Sequence, residues 1–312
     1  MNYRIFTFGI IQENDYNSDV KEVGTFIILT LFMKIIITAL AFLISHQLTA
    51  QNLHLTLMAG VSNYQGDLQS KRFTFNQAQP AFGIGAMYEL SDKLYIRAAA
   101  SFAKVSGDDK KSPLNKDRNL SFSSPITEAQ LGLEYDILNL YERSFTPYLF
   151  AGVAAFRYNP SAIDSAGNKV YLRPLSTEGQ GFYLNRKLNS NKQIAIPFGG
   201  GIKLALSEDI RLKFEIGMRY LFTDYLDDVS TTYPDEALLL ANKGPQAVAL
   251  SFRAYENKPV LTYPTGGKRG NPSVKDLYYF TGLTISFRLS PGQGNGGGNK
   301  KKSQYGCPVM VY

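Results

Sequence analysis

Three aspartates lie close together in the last third of the chain and could bind a metal ion. Asp224, Asp227 and Asp228 belong to the segment Phe222-Thr-Asp-Tyr-Leu-Asp-Asp-Val-Ser-Thr-Thr-Tyr233, and carboxylate oxygens are the hard ligands that Ca²⁺ prefers. The segment lacks the glycine and the closing glutamate of the known calcium-binding loop. Because Asp and Thr side chains also bond to nearby backbone groups, the sequence favours a hydrogen-bonded loop base, with a metal site as the weaker alternative.

Residues suited to catalysis are scarce. After residue 50 the only histidine is His54, the only cysteine is Cys307, and no Gly-x-Ser-x-Gly turn occurs. General bases and activated nucleophiles therefore have few candidates. Two glycine-rich pieces, Gly199-Gly-Gly201 and Gly266-Gly-Lys-Arg-Gly270, do not open a helix after a strand, as a phosphate-binding loop would. We expect no enzyme activity, no cofactor and no small-molecule substrate.

Strict alternation of apolar and polar residues runs through most of the chain from residue 52 onward. In Ile210-Arg-Leu-Lys-Phe-Glu-Ile-Gly-Met-Arg-Tyr220 every residue of one face is apolar and none of the other is. This period of two is typical of a β-strand with one apolar face. The pattern predicts eight strands, at residues 52–61, 81–90, 94–105, 120–138, 145–158, 193–206, 210–220 and 276–289.

The connections between these strands alternate between long and short. Short turns at 91–93, 139–144 and 207–209 separate long connections at 62–79, 106–118, 159–192 and 223–275. In a closed up-and-down barrel every second connection lies at the same rim, so all long loops share one end. Outer-membrane barrels have this asymmetry, with short periplasmic turns and long extracellular loops. Within the last loop, residues 234–255 look helical, with a break at Gly244-Pro245.

The polar face of the strands distinguishes a membrane barrel from a soluble barrel that binds a ligand inside. Opposite charges are mixed with glycines on this face, and buried charges must be paired. A narrow lumen would hold such a network, and aromatic residues near the strand ends fit interfacial girdles. The predicted lumen network comprises Glu89, Arg97, Glu128, Glu134, Lys203, Arg211, Lys213, Glu215 and Arg219.

Both ends of the chain differ from the alternating region. Residues 33–50 have the layout of a secretory signal peptide, with cleavage near Ala50–Gln51, and residues 1–32 form an upstream extension. A transmembrane helix from about Phe26 to Ile44 is the alternative. Residues 290–312 form a Gly/Lys-rich tail, in which Lys300, Lys301 and Lys302 could contact a partner or an anionic surface. Although the net charge is +7, export excludes a nucleic-acid partner.

Several segments, taken in order, resemble the PorG-like outer-membrane β-barrel family of the type IX secretion system. They are Gly60-Val-Ser-Asn-Tyr-Gln-Gly-Asp-Leu68, Asn119-Leu-Ser-Phe122, Phe145-Thr-Pro-Tyr-Leu-Phe-Ala-Gly-Val153, Arg173-Pro-Leu-Ser-Thr-Glu-Gly-Gln-Gly181, Ile196-Pro-Phe-Gly-Gly-Gly201 and Phe222–Tyr233. The resemblance implies an outer-membrane component associated with the periplasmic ring subunits of the secretion and gliding machinery. It implies no catalytic residues.

The sequence therefore predicts an all-β, up-and-down, OmpA-like transmembrane barrel of about eight strands over residues 51–289. We expect it in the outer membrane of a Gram-negative bacterium, in contact with membrane lipids. The expected function is a non-enzymatic anchor for periplasmic ring subunits. A small-solute porin or a ligand-binding barrel unrelated to secretion is the alternative, and a lipid-modifying barrel enzyme ranks third.

Overall fold

The computed structural model describes residues 52–69, 74, 76–111, 115–207 and 209–289. The predicted upstream extension, signal peptide and tail, including Lys300, Lys301 and Lys302, lie outside these residues. Eight long strands form the barrel: β1 (Leu53–Gln65), β2 (Gln79–Ser91), β3 (Leu94–Asp108), β4 (Ser121–Asp136), β5 (Phe145–Tyr158), β8 (Lys192–Ala205), β9 (Ile210–Leu221) and β10 (Leu277–Arg288).

Antiparallel pairing closes the eight strands into one barrel. The order β3-β2-β1-β10-β9-β8-β5-β4 is completed by the pairing of β3 with β4. The first strand therefore pairs with the last, as at Leu57 and Ile285. This confirms the predicted eight-stranded antiparallel barrel. Most strands continue beyond the predicted bounds at the end of the long loops, where polar residues take over and the apolar alternation fades.

All long loops lie at one end of the barrel, as their lengths predict. The β5–β8 loop contains a small hairpin, β6 (Ser161–Ile163) and β7 (Lys169–Tyr171), which extends the edge of β4 through Ser123 and Ser161. The β9–β10 loop contains helices α1 (Glu236–Lys243) and α2 (Pro245–Ser251), separated at Gly244. The Asp235 side chain caps α1 by accepting a hydrogen bond from the Leu238 amide. The sequence predicts these helices and their break, but not the hairpin.

The burial pattern is the reverse of that in a soluble barrel. Outward-facing Leu131 and Val153 are 55% and 59% exposed, whereas inward-facing Glu134 and Lys203 are fully buried. Exposed apolar side chains continue around the wall on all eight strands, so the wall requires an apolar surrounding. In the part of the chain that the structure describes, no helix is long and apolar enough to cross a membrane.

Placing a cation on the lipid-facing wall tests this orientation. We expect Leu131→Arg to lower the free energy of unfolding in lipid vesicles by about 2–4 kcal/mol, because an arginine near the bilayer centre must leave water. Leu184→Arg is the matched control, since Leu184 is 71% exposed on a loop, where a surface substitution changes stability by about 0.5 kcal/mol or less. Urea titration of both variants measures the difference. Equal stabilities would contradict a lipid-facing wall.

Candidate functional site

The structure places all nine predicted network residues on the inner face of the barrel. They form three groups, and one carboxylate is at the centre of each: Glu134 in the middle, Glu128 towards the loops and Glu89 towards the turns. Alternation brings every one of these side chains inside. The contacts across the lumen then decide which charge meets which.

Glu134 binds three cations at once. The Nζ atoms of Lys203 and Lys213 lie 2.8 and 3.0 Å from its carboxylate oxygens, and Nη1 of Arg97 lies 3.2 Å away. Lys203 also binds Asp136 at 2.7 Å. An ion in so dry a lumen is stable only when such partners replace its water. Asp136, which the alternation of β4 also places on the inner face, completes this group.

Arg97 connects Glu134 to a second carboxylate. It donates bidentate hydrogen bonds of 2.8 and 3.1 Å to Glu215, and its guanidinium lies 4.1 Å from the centre of the Phe150 ring. Tyr148 donates to Glu215 at 3.0 Å. Bidentate and stacked contacts suit the planar guanidinium and would not suit a lysine.

Arg219 and Glu128 form the group nearest the loops. Their side chains meet at 3.0 Å, and the Tyr278 hydroxyl donates to Glu128 at 2.5 Å. The guanidinium of Arg219 also covers the Phe280 ring at 4.0 Å. Gly217 leaves the space for this side chain, because a Cβ there would lie 2.7 Å from Arg219 Nη1. Inward-facing glycines thus let large charged side chains share a narrow lumen.

At the end of the barrel that bears the short turns, a turn residue closes the mouth. The β4–β5 turn folds under the strands, so that the Tyr141 hydroxyl donates to Glu89 at 2.5 Å and accepts from Arg288 at 2.6 Å. Arg211 and His54 lie 3.6 and 3.5 Å from the same carboxylate. The predicted network includes neither Tyr141 nor Arg288. Inward alternation in β10 is the signal that could have found Arg288, whereas nothing in the local sequence places the turn residue.

Little space remains between the three groups. A cavity of about 40 Å³ lies beside Met58, Gln130 and Lys213, which is room for a few water molecules. The described interior is therefore a packed polar core. Its groups pair and neutralise one another. The His54 side chain packs among these groups, with its Nε2 atom 3.5 Å from the Glu89 carboxylate.

Removing the central carboxylate should destabilise the barrel strongly. Glu134→Gln leaves three buried cations short of a partner, and breaking a buried ion pair in this way costs about 3–5 kcal/mol. Glu142→Gln, on the exposed part of the β4–β5 turn, is the control. The urea concentration at which half of each variant has lost its folded mobility on unheated gels is the unfolding midpoint, and it is compared between the two variants. Identical midpoints would show that Glu134 does not hold the lumen together.

The long loops fold into a compact cap over the mouth at their own end of the barrel. Its centre is Glu178, a fully buried carboxylate in the β5–β8 loop. It accepts hydrogen bonds from the amides of Ser230 and Thr231, both at 2.9 Å, and binds Arg269 at 3.0 Å. These partners belong to the β9–β10 loop, so one side chain joins the two longest loops. Charge-assisted bonds of this kind are about twice as strong as neutral ones.

Arg118 connects the remaining loops to the cap. It binds the Asp109 carboxylate at 2.7 and 2.8 Å, and it donates to the carbonyl oxygens of Arg269 and Asp67 at 2.5 and 2.9 Å. Asp67 in turn accepts from the Asn271 amide at 2.9 Å. All four long loops are thus linked by buried and half-buried polar groups.

The three candidate metal ligands turn to different partners. Asp224 accepts from the Ser230 hydroxyl at 2.7 Å, Asp227 from the Tyr64 hydroxyl, and Asp228 from the Thr177 hydroxyl. Among the residues that the structure describes, no group of three or more histidine, cysteine or acidic side chains is placed to hold a metal ion. These contacts form the hydrogen-bonded loop base that the sequence favours.

Burial changes the acidity of these cap carboxylates. It raises the pKa of Asp228 to about 7, against the opposing effect of Arg269, and that of Asp224 to about 6. Burial and mutual repulsion also raise the pKa of Asp276, which faces Asp227 across the Tyr64 hydroxyl. Protonated carboxyls therefore fit the folded cap better than ionised ones.

The cap should consequently lose stability as pH rises. An unfolded aspartate has a pKa of about 3.9, so the stabilising effect of a raised folded-state pKa is complete below that value and is lost as pH rises through about 6 to 7. We expect the amides of Val229 and Ser230 to exchange hydrogen faster at pH 8 than at pH 5.5, after correction for intrinsic rates. Asp228→Asn should reduce this difference, and an unchanged difference in that variant would contradict the assignment.

These features define a class of protein: an integral β-barrel of the outer-membrane type, with an apolar wall, a filled interior and a folded loop cap. Residues 31–241 match the family model described as "Domain of unknown function (DUF6089)". The chain therefore belongs to this family. Its description names no activity, so the resemblance to the PorG-like barrels of type IX secretion stays a prediction.

Solved structures of small outer-membrane barrels are similar to this chain. Neisserial surface protein A is 11% identical with a TM-score of 0.38, and OprG of Pseudomonas aeruginosa is 13% identical with a TM-score of 0.35; each match covers 76% of this chain and 97% of the other. Ail of Yersinia pestis is 10% identical with a TM-score of 0.34, covering 75% and 97%. The chain has no significant match among curated proteins.

Proposed function

We propose that this protein is a non-enzymatic scaffold of the outer membrane, which holds partner proteins at its ends and passes no solute through its centre. The filled lumen carries this proposal. Glu134 and its three cations occupy the middle of the barrel, and an eight-stranded barrel leaves room for little besides its own side chains.

The proposed partners are periplasmic ring subunits of the type IX secretion and gliding machinery, and the PorG-like sequence resemblance supports them. On the structural side, the β4–β5 turn offers a prearranged contact surface. Leu140 and Tyr141 anchor this turn in the barrel mouth, while Glu142 and Arg143 stay exposed. A contact surface that is already ordered loses less conformational entropy on binding. The proposal also assigns the tail, with Lys300, Lys301 and Lys302, to these partners.

Affinity capture of the full-length protein from detergent-solubilised membranes tests the role. We expect periplasmic ring subunits to be recovered, and a chain lacking residues 290–312 to recover fewer. Glu142→Lys/Arg143→Glu, which leaves the net charge unchanged, should also reduce recovery if the turn is a contact. Absence of ring subunits from the full-length capture would overturn the scaffold. Unchanged recovery by the shortened chain would overturn only the part assigned to the tail.

One observation favours the alternative of a ligand-binding barrel. A cleft of about 720 Å³ opens between the loops of the cap, and Arg118, Lys268 and Lys275 are among the residues that line it. Arg118 is already engaged with Asp109, which leaves two exposed lysines and weakens this alternative.

Conductance in planar bilayers separates the porin from the scaffold, because a steady channel would require an open lumen.

A further inference from the structure

The outer wall of the barrel carries two cations at the edge of its apolar surface. Arg157 on β5 and Lys192 on β8 are directly opposite each other in the strand pairing, and both face outward and are exposed. Side chains at such positions have Cβ atoms roughly 5 Å apart, and like charges placed there repel. Because repulsion between the two cations destabilises the sheet, we expect a negative group to lie close to them.

No counter-charge is present among the described residues. Neither side chain forms an ion pair or a hydrogen bond there, in contrast to the inner-face cations, which are paired throughout. The neighbour of Arg157 on β4 is the uncharged Thr127. A third outward cation, Lys104 on β3, pairs with Pro125 and is also exposed and without an acidic partner.

The height of the two cations matches a membrane surface. Below Arg157, the outward residues of β5 are apolar from Ala155 to Phe145, which corresponds to roughly 25 Å of wall at the usual strand tilt. Below Lys192, Ile194 and Ile196 continue the same surface on β8. The cations therefore lie at the level of lipid headgroups, at the end that bears the cap.

Aromatic residues lie just below this boundary at the end of the neighbouring strand β9. Tyr220 pairs with Ile196, and its ring packs edge-on against Phe222 at 5.6 Å between centroids. Both rings are exposed on the outer wall, as in the girdles that flank the apolar band of membrane barrels. At the opposite end, the outward strand residues, such as Leu90, Phe145 and Leu204, carry no positive charge. The cationic pair thus belongs to one leaflet.

We propose that Arg157 and Lys192 bind the phosphate headgroup of a lipid in the leaflet that surrounds the capped end. The negative phosphate would relieve the repulsion between the two cations, while the acyl chains lie along Val153, Ala155 and Ile194. Lys104 contributes to the same positive surface two strands further around the barrel. This lipid contact follows from the wall of the barrel alone and does not depend on the proposed scaffold role.

Lipid retention by the purified full-length barrel tests the proposal. The delipidated protein in neutral detergent is mixed with diphosphorylated lipid A, and bound lipid is counted by native mass spectrometry. We expect Arg157→Gln/Lys192→Gln to weaken retention roughly thirtyfold, since each interfacial cation contributes about a factor of five. Lys110→Gln/Lys116→Gln removes the same charge from exposed loop positions and should retain lipid as the unmodified protein does.

Four results would overturn the proposal. Equal retention by the Arg157/Lys192 variant, or an equal loss in the loop control, would remove the site from the wall. Equal binding of lipid A without its phosphates would exclude headgroup recognition. Displacement of the lipid by millimolar inorganic phosphate would show an anion site that does not need a lipid. Unchanged folded mobility on unheated gels verifies that each variant is folded, and both substituted positions are exposed.

Discussion

The structure depends on one constraint: ions inside a narrow lumen are stable only when other protein groups replace their water. Glu134 and Glu89 each bind several cations, and Glu128 binds Arg219, from strands that lie apart in the chain. Pairing across the lumen fixes the strands relative to one another, and inward-facing glycines supply the space. The apolar residues are left to the outside, where the wall meets lipid. The membrane orientation and the filled interior are thus two results of the same alternation.

The cap solves the same problem outside the membrane. A loop that buries its backbone needs internal partners for its polar groups, and Glu178 provides them for Ser230 and Thr231. Arg269 balances its charge. The segments 173–181 and 222–233, which carry much of the sequence resemblance, meet at this point. The predicted resemblance to the PorG-like family therefore rests in part on residues that hold the cap together.

The barrel could be predicted from the sequence because alternation is local. Residues 210–220 show which side chains face inward without knowledge of any other strand. Contacts across the lumen depend on which strands face each other, so the three cations around Glu134 could be predicted only as members of a network. Tyr141 is a turn residue outside any period, and Glu178 and Arg269 are 91 residues apart, so the sequence alone could predict neither role. The aspartates of 222–233 illustrate the same limit, since their partners come from other loops.

The seam between β1 and β10 governs how this chain can be assembled. Leu57 and Ile285 face each other there, so the barrel cannot close before the last strand, β10, is in place beside the first. Until then both strands present free backbone edges, which hydrocarbon cannot solvate and which invite pairing with other chains. Insertion one hairpin at a time would expose these edges to lipid. Insertion of this barrel must therefore bring β1 and β10 together before either edge is left in hydrocarbon.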